Sequence, residues 1–373
     1  CRIISQSASG APAGESPADC HMRELSGFVI WLVLAVSCCP GSDTCAEATA
    51  SLQRHEFAKA EGLLKQCIAE HPDQLLPYIQ LCSIYQSQGR DGDLQKTALE
   101  GMKRFPEEKR FYITVGNRAG REKRYRQAVE VFSEAHKRWP DDERFRESLA
   151  GARLGLGMQL MGENKYREAE AELRQATELS PGDVEAHWNL GRALHNLLRS
   201  EEAVREFDTA IKLDPQLKRV RFDRGVVLYQ LRDFERAILD FNWEIENNPS
   251  YPPGFLFRGL ARFDTGDLEG AIKDLDIAVE RMPEVFRAHY ARARCLQRLG
   301  RPEEAEAEYR TAMGMEPENP APVSALARLL MGIGRTEEAE TLTEKAKELM
   351  TKRRDKTDRE MLSVPPEKPD RDR

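Results

Sequence analysis

The chain has 373 residues, room for two or three domains at roughly 100–200 residues each. Hydrophobic residues are 40 %, charged residues 32 % and aromatics 7 %, a profile of solvated helices that argues against an all-β sandwich or a polytopic membrane protein. The net charge of −7, from 56 basic and 63 acidic residues, argues against a nucleic-acid partner. Eight cysteines are too few for a disulfide-dense mini-scaffold.

Residues 1–21 are rich in Ser, Ala, Gly and Pro without an apolar period. They are expected to be a disordered leader or a stretch ahead of the true start, with Met22 as the candidate initiator. Residues 22–40 change character: a charged start, the apolar run Phe28–Val36, then the small residues Ser37, Cys38, Cys39, Pro40 and Gly41. These are the parts of a secretory signal. The run is far short of the ~20 residues of a permanent bilayer-spanning helix. Ala35-Val36-Ser37-Cys38 resembles a bacterial lipoprotein box, in which the cysteine is lipidated, so Cys38 is the expected lipidation site. Cleavage after Ser37 or after Ala46, and a simple buried helix, remain alternatives.

A repeat fills the rest. Prolines at 72, 106, 140, 181, 215, 249, 283 and 317 are spaced by 34 residues except for one gap of 41. With this proline numbered 32, the units are about 41–74, 75–108, 109–149, 150–183, 184–217, 218–251, 252–285, 286–319 and 320–351. Position 8 is small (Gly116, Gly157, Gly191, Gly225, Gly259, Ala293), and position 20 is almost always Ala. Position 24 is large (Phe132, Leu173, Phe207, Phe241, Leu275, Tyr309), and position 27 is mostly Ala. The pattern resembles the tetratricopeptide repeat, a 34-residue helix–turn–helix. The resemblance implies an all-α fold, a right-handed superhelical solenoid of about nine units. Small residues let two helices approach, a large residue at 24 fills the gap, and the proline ends the second helix. The family's position-4 Trp is absent. Seven extra residues near Glu143–Leu149, with Phe145, Leu149, Ala152 and Leu156 in helical phase, predict a lengthened first helix. Residues 352–373, nearly all charged or Pro, are expected to be a disordered tail.

No catalytic constellation emerges, and no cofactor or metal is expected. Gly151, Gly155 and Gly157 lie inside a predicted helix without a preceding strand, so they read as packing glycines and not as a phosphate loop. Arg224, Arg258 and Arg292 at position 7 are matched by Asp240, Asp274 and Glu308 at position 23. Those positions are neighbours in the family, which implies three repeated Arg–carboxylate bridges. Glu244 occupies the crowded position 27, where it either reaches Arg258 or snorkels. Cys67 and Cys82 are close-packing positions around one inter-repeat contact; they form either a disulfide or, the better reading, two buried thiols.

In tetratricopeptide arrays positions 2, 5, 9, 12 and 13 of the first helix line the concave face. The resemblance therefore puts Trp188, Phe222, Leu256 and Tyr290 (position 5), Tyr229 and Phe263 (position 12), and Arg192 and Arg294 (position 9) along one groove. Its apolar row is expected to hold a peptide or protein segment, and its arginines acidic or C-terminal carboxylate groups. The functional expectation is a non-catalytic protein-interaction scaffold, exported to the periplasm or anchored in the cell envelope, its only membrane attachment a lipid anchor. The alternatives are a substrate-presenting subunit of an envelope or sugar-transfer enzyme complex and a cytosolic regulator.

Overall fold

A computed structural model describes residues 43–363, all helix and connecting turn, with no strand among them. The expected signal segment and Cys38 lie outside the described residues. Eighteen helices run in the predicted phase. The first compact unit, ending at Arg121, holds α1 (Asp43–Gln53), α2 (Phe57–Glu70), α3 (Leu75–Ser87), α4 (Asp91–Arg104) and α5 (Lys109–Arg121). The second, from Glu122, begins with α6 (Tyr125–Arg138), α7 (Glu143–Gly162), α8 (Tyr166–Leu179), α9 (Val184–Asn196), α10 (Ser200–Leu213), α11 (Val220–Gln230) and α12 (Phe234–Asn247). It continues with α13 (Pro253–Thr265), α14 (Leu268–Arg281), α15 (Phe286–Arg298), α16 (Pro302–Met315), α17 (Pro320–Gly332) and α18 (Thr336–Ser363). Within each unit successive helices pack on one another.

The repeat signature has a direct steric cause. A Cβ on Gly191 would stand 2.6 Å from the Phe207 ring, and one on Gly225 2.7 Å from Phe241. Position 8 is therefore small because position 24, sixteen residues on, fills its place. Each second helix then closes the same way: the N–H at position 31 donates to the carbonyl at position 27, as Asp214 does to Ala210 at 2.9 Å. The proline that follows cannot continue the helix. A donor at position 4 returns to that proline's carbonyl in the preceding repeat: Arg221 to Pro215 at 2.8 Å, with His187 on Pro181 at 3.1 Å and His289 on Pro283 at 3.0 Å. These polar side chains stand where the family has Trp.

The insertion is helix. The helix α7 has 20 residues, and Phe145, Leu149, Ala152 and Leu156 are all buried along it. Within α7 a Cβ on Gly155 would meet the Tyr125 ring at 2.5 Å and one on Gly157 would meet Leu173 at 2.6 Å, so these two glycines serve packing, whereas Gly151 has open space beside it. At the other end the structure departs from the expected tail, because α18 continues past Thr351 to Ser363. Its Glu, Lys, Ala and Met content favours helix, and Lys347 pairs with Glu344 one turn away at 2.7 Å.

The cysteine expectation needs correction too. Cys67 on α2 is bonded to Cys45 on α1, with Cα atoms 5.2 Å apart, and Cys82 is a free thiol. Burial pushes Cys82 up to about 12 and Cys295 to about 11, so both thiols stay protonated and unreactive.

Candidate functional site

The three expected bridges exist, and each does more than the pattern implied. Arg224 grips both oxygens of Asp240 at 2.8 and 2.6 Å. Arg258 does the same to Asp274 at 2.9 and 2.6 Å. Arg292 reaches Glu308 at 2.7 Å. Each guanidinium also reaches back sixteen residues into the preceding repeat, to Asp208, Asn242 and Asp276 at 2.5, 2.8 and 2.6 Å. A second device recurs at the turn between helices: Arg199 binds Glu170 of the preceding repeat, and Arg335 binds Glu306 likewise. These arginines are tied up by carboxylates and join repeats.

The face formed by the first helices, α9, α11, α13 and α15, is built differently. Residues about 35 apart touch across neighbouring repeats. The Trp188 indole N–H donates to Asp223 at 2.7 Å. The Tyr229 hydroxyl donates to Asp264 at 2.6 Å. Arg298 donates to the Phe263 carbonyl at 3.1 Å. Burial pushes the Asp223 carboxyl above its usual range, opposed by the Trp188 N–H and by the charges of Arg192 and Arg219. Burial also raises Tyr229 to about 12, with the Asp264 hydrogen bond adding to it. His195 on α9 is lowered by burial, and its Nδ1 has no hydrogen-bond partner.

The expected apolar row splits. Trp188, Tyr229 and Tyr290 remain half-buried on this face. Phe222, Leu256 and Phe263 do not line it, being 8 %, 4 % and 6 % exposed. Phe222 sits edge-on to Tyr251 and Phe257 at 5.0 and 5.4 Å, while Leu256 and Phe263 belong to the core cluster around Leu275 and Cys295. Adjacent first helices approach closely enough to cover these side chains, so they support the face from beneath. Phe257, one position on from the expected Leu256, is half-buried, and so is Tyr251, which precedes α13.

The arginines of this face rest on rings. Arg192 lies 5.9 Å from the Trp188 centroid and 3.9 Å from Asp223. Arg294 lies 4.6 Å over Phe263. Three further arginines join them, Arg219 and Arg287 from position 2, which the pattern also assigns to the groove, over Tyr251 at 5.3 Å and Phe257 at 4.7 Å, and Arg298 from position 13 over Phe263 at 4.8 Å. Glu244 does not reach Arg258. It is fully buried, accepting the backbone N–H of Arg219 at 2.9 Å and the side-chain amide of Asn248 at 2.9 Å. Among the described residues no three His, Cys, Asp or Glu side chains gather as a metal site, and no helix is long and apolar enough to cross a membrane.

The helix pairs, their phase and the residue types at the packing positions define a tetratricopeptide-repeat protein. The sequence itself matches the tetratricopeptide repeat over residues 154–216, 196–252 and 258–320, so the chain carries tetratricopeptide repeats in that part. No curated protein matches it. Among solved structures it is similar to MamA from Desulfovibrio magneticus, at 22 % identity over 46 % of this chain and 96 % of that one, with a TM-score of 0.43. It is also similar to PilW, a type IV pilus biogenesis factor, at 17 % identity over 53 % and 91 %, TM-score 0.49. YrrB, a tetratricopeptide protein described as having an unusual peptide-binding site, is 20 % identical over 53 % and 98 %, TM-score 0.45.

Proposed function

We propose that the chain is a non-catalytic interaction scaffold that holds a peptide or a segment of a partner protein against the α9–α11–α13–α15 face. The observation that carries this reading is the set of half-buried Trp188, Tyr229 and Tyr290 on the first helices α9, α11 and α15, flanked by arginines stacked on rings. Aromatic and Arg side chains dominate protein interface energetics. Random-peptide display on the immobilised full chain tests it. The wild type enriches binding peptides and the Trp188→Ala and Tyr290→Ala variants lose them; equal enrichment by all three puts the site elsewhere.

The same reading includes export to an oxidising envelope. It is supported by the Phe28–Val36 run and by the Cys45–Cys67 disulfide, a bond that persists mainly outside the reducing cytosol. If Cys38 carries the lipid, Cys38→Ala releases the protein from membranes. Mass spectrometry of the native protein showing an intact Met22 terminus contradicts export.

A further inference from the structure

Two oddities meet at Arg219. Every residue with positive φ among the described residues sits at position 15, the turn between the helices of a repeat, except Arg219 at position 2, with φ +74°. Glu244 is the acid at position 27, where other repeats place Ala, Gly or Cys. The two are one device. The buried carboxylate accepts the Arg219 backbone N–H at 2.9 Å, fixing an L-residue in a conformation it rarely adopts. Strain of this kind persists where the surroundings enforce it and concentrates at binding sites. Its result is to set the Arg219 guanidinium over Tyr251 on the candidate face.

From this, and resting on the proposed peptide-binding reading, we infer that the partner segment is acidic at both ends and apolar in its middle. The molecule is acidic overall, and arginines at position 7 are gripped by carboxylates. The side chains of Arg219, Arg287, Arg294 and Arg298 rest on aromatic rings and enter no ion pair among the described residues, although the charge of Arg219 also acts on Asp223. The two acids of the face, Asp223 and Asp264, are engaged by the Trp188 N–H and the Tyr229 hydroxyl. Positive charge is thus left for a ligand in two clusters: Arg219 at one end, beside Arg192, which is partly offset by Asp223 at 3.9 Å, and Arg287, Arg294 and Arg298 at the other. Tyr229 and Phe257, 6.4 Å apart, lie between them as the apolar centre.

The test is fluorescence anisotropy on the full chain with three probes. One is a dodecapeptide with glutamates on both sides of a leucine-rich centre, one is its glutamine-for-glutamate counterpart, and one is an oligouridylate. The glutamate peptide is expected to bind about tenfold tighter than the glutamine peptide, as a few exposed ion pairs allow, with the advantage shrinking as salt rises. Arg219→Gly and Arg294→Gln are each expected to weaken it about threefold. Arg219→Gly also removes the backbone strain, so its melting temperature stays at or above that of the wild type, which separates ligand contact from folding. Equal binding of the two peptides, abolished by Trp188→Ala, overturns the acidic ligand and leaves the face as the binding site. Failure of the glutamate peptide to bind, tighter binding of the oligouridylate, or unchanged affinity in Arg219→Gly each overturns the inference, while the display selection judges the face independently.

Discussion

The second unit holds two populations of arginine that share the 34-residue period and differ in company. Those at position 7 and at the inter-helix turns face carboxylates on the second helices, within and between repeats. Those on the first-helix face lie on aromatic rings. The first population is satisfied within the fold and holds repeats in register. The second keeps its hydrogen-bonding capacity, since a ring takes charge but accepts little from a guanidinium edge. The arginines of the first helices are therefore divided by helix face, with those turned to the second helices serving stability and those on the opposite face serving recognition.

The sharpest break in that comparison is at Asp274. It is buried and receives both Arg258 and Arg262, the latter at 2.9 Å. Asp274→Ala leaves two guanidinium groups beside an uncompensated site, and stability should fall by about 3–5 kcal/mol. Denaturant unfolding measures the loss, and peptide affinity of the folded fraction should change little. In the first unit, replacing Cys45 and Cys67 by Ala opens a loop spanning 22 residues. That should cost about 3 kcal/mol, and hydrogen exchange should show the loosening confined to α1 and α2. On the recognition side the expected sizes invert. Trp188→Ala should weaken peptide binding by about 2 kcal/mol, roughly thirtyfold, with little change in melting temperature.

The smallest effect concerns pH. His187 presents Nδ1 to Glu206 at 2.7 Å and Nε2 to the Pro181 carbonyl. Both neighbours are acceptors, so both ring nitrogens must carry protons. The Glu206 hydrogen bond raises its pKa above 6.5, with burial opposing and Asp183 adding to it. A raised folded-state pKa means the stabilisation is fully present below the unfolded value and fades as pH climbs through the folded one. The melting temperature should therefore drop modestly above about pH 6.5, and His187→Gln should flatten that slope. At the acid end Glu61, held down to about 2 first by Arg90 and then by Lys65, works the other way. Its contribution is present above the ordinary carboxylate range and disappears as pH falls toward 2.

The architecture was legible because its cause is local and repeated. Small residues at position 8 and bulk at 24 lie sixteen residues apart in one unit, and the proline marks each unit's end. The long helix α7 followed from the phase of Phe145, Leu149, Ala152 and Leu156. The site was half legible. Position along the helix indicates which way Trp188, Tyr229 and Tyr290 point, but not how closely the next repeat approaches. That approach is what covers Phe222, Leu256 and Phe263. Arg219 and Glu244 could not be joined from sequence, because their link is a backbone hydrogen bond to a left-handed residue. The Cys45–Cys67 bond was hidden by the weak apolar period of α1, which obscured that helix and the place of Cys45 within it. The charged end of α18 read as a tail because composition was weighed there ahead of helix propensity.

The assignment of recognition to the first-helix face can be tested most directly by amide hydrogen exchange on the full chain with and without a bound display-selected peptide. The account predicts added protection in α9, α11, α13 and α15, strongest around Trp188, Tyr229 and Tyr290, with α10, α12, α14 and α16 nearly unchanged. Protection concentrated in the second helices, or in α7, would contradict it.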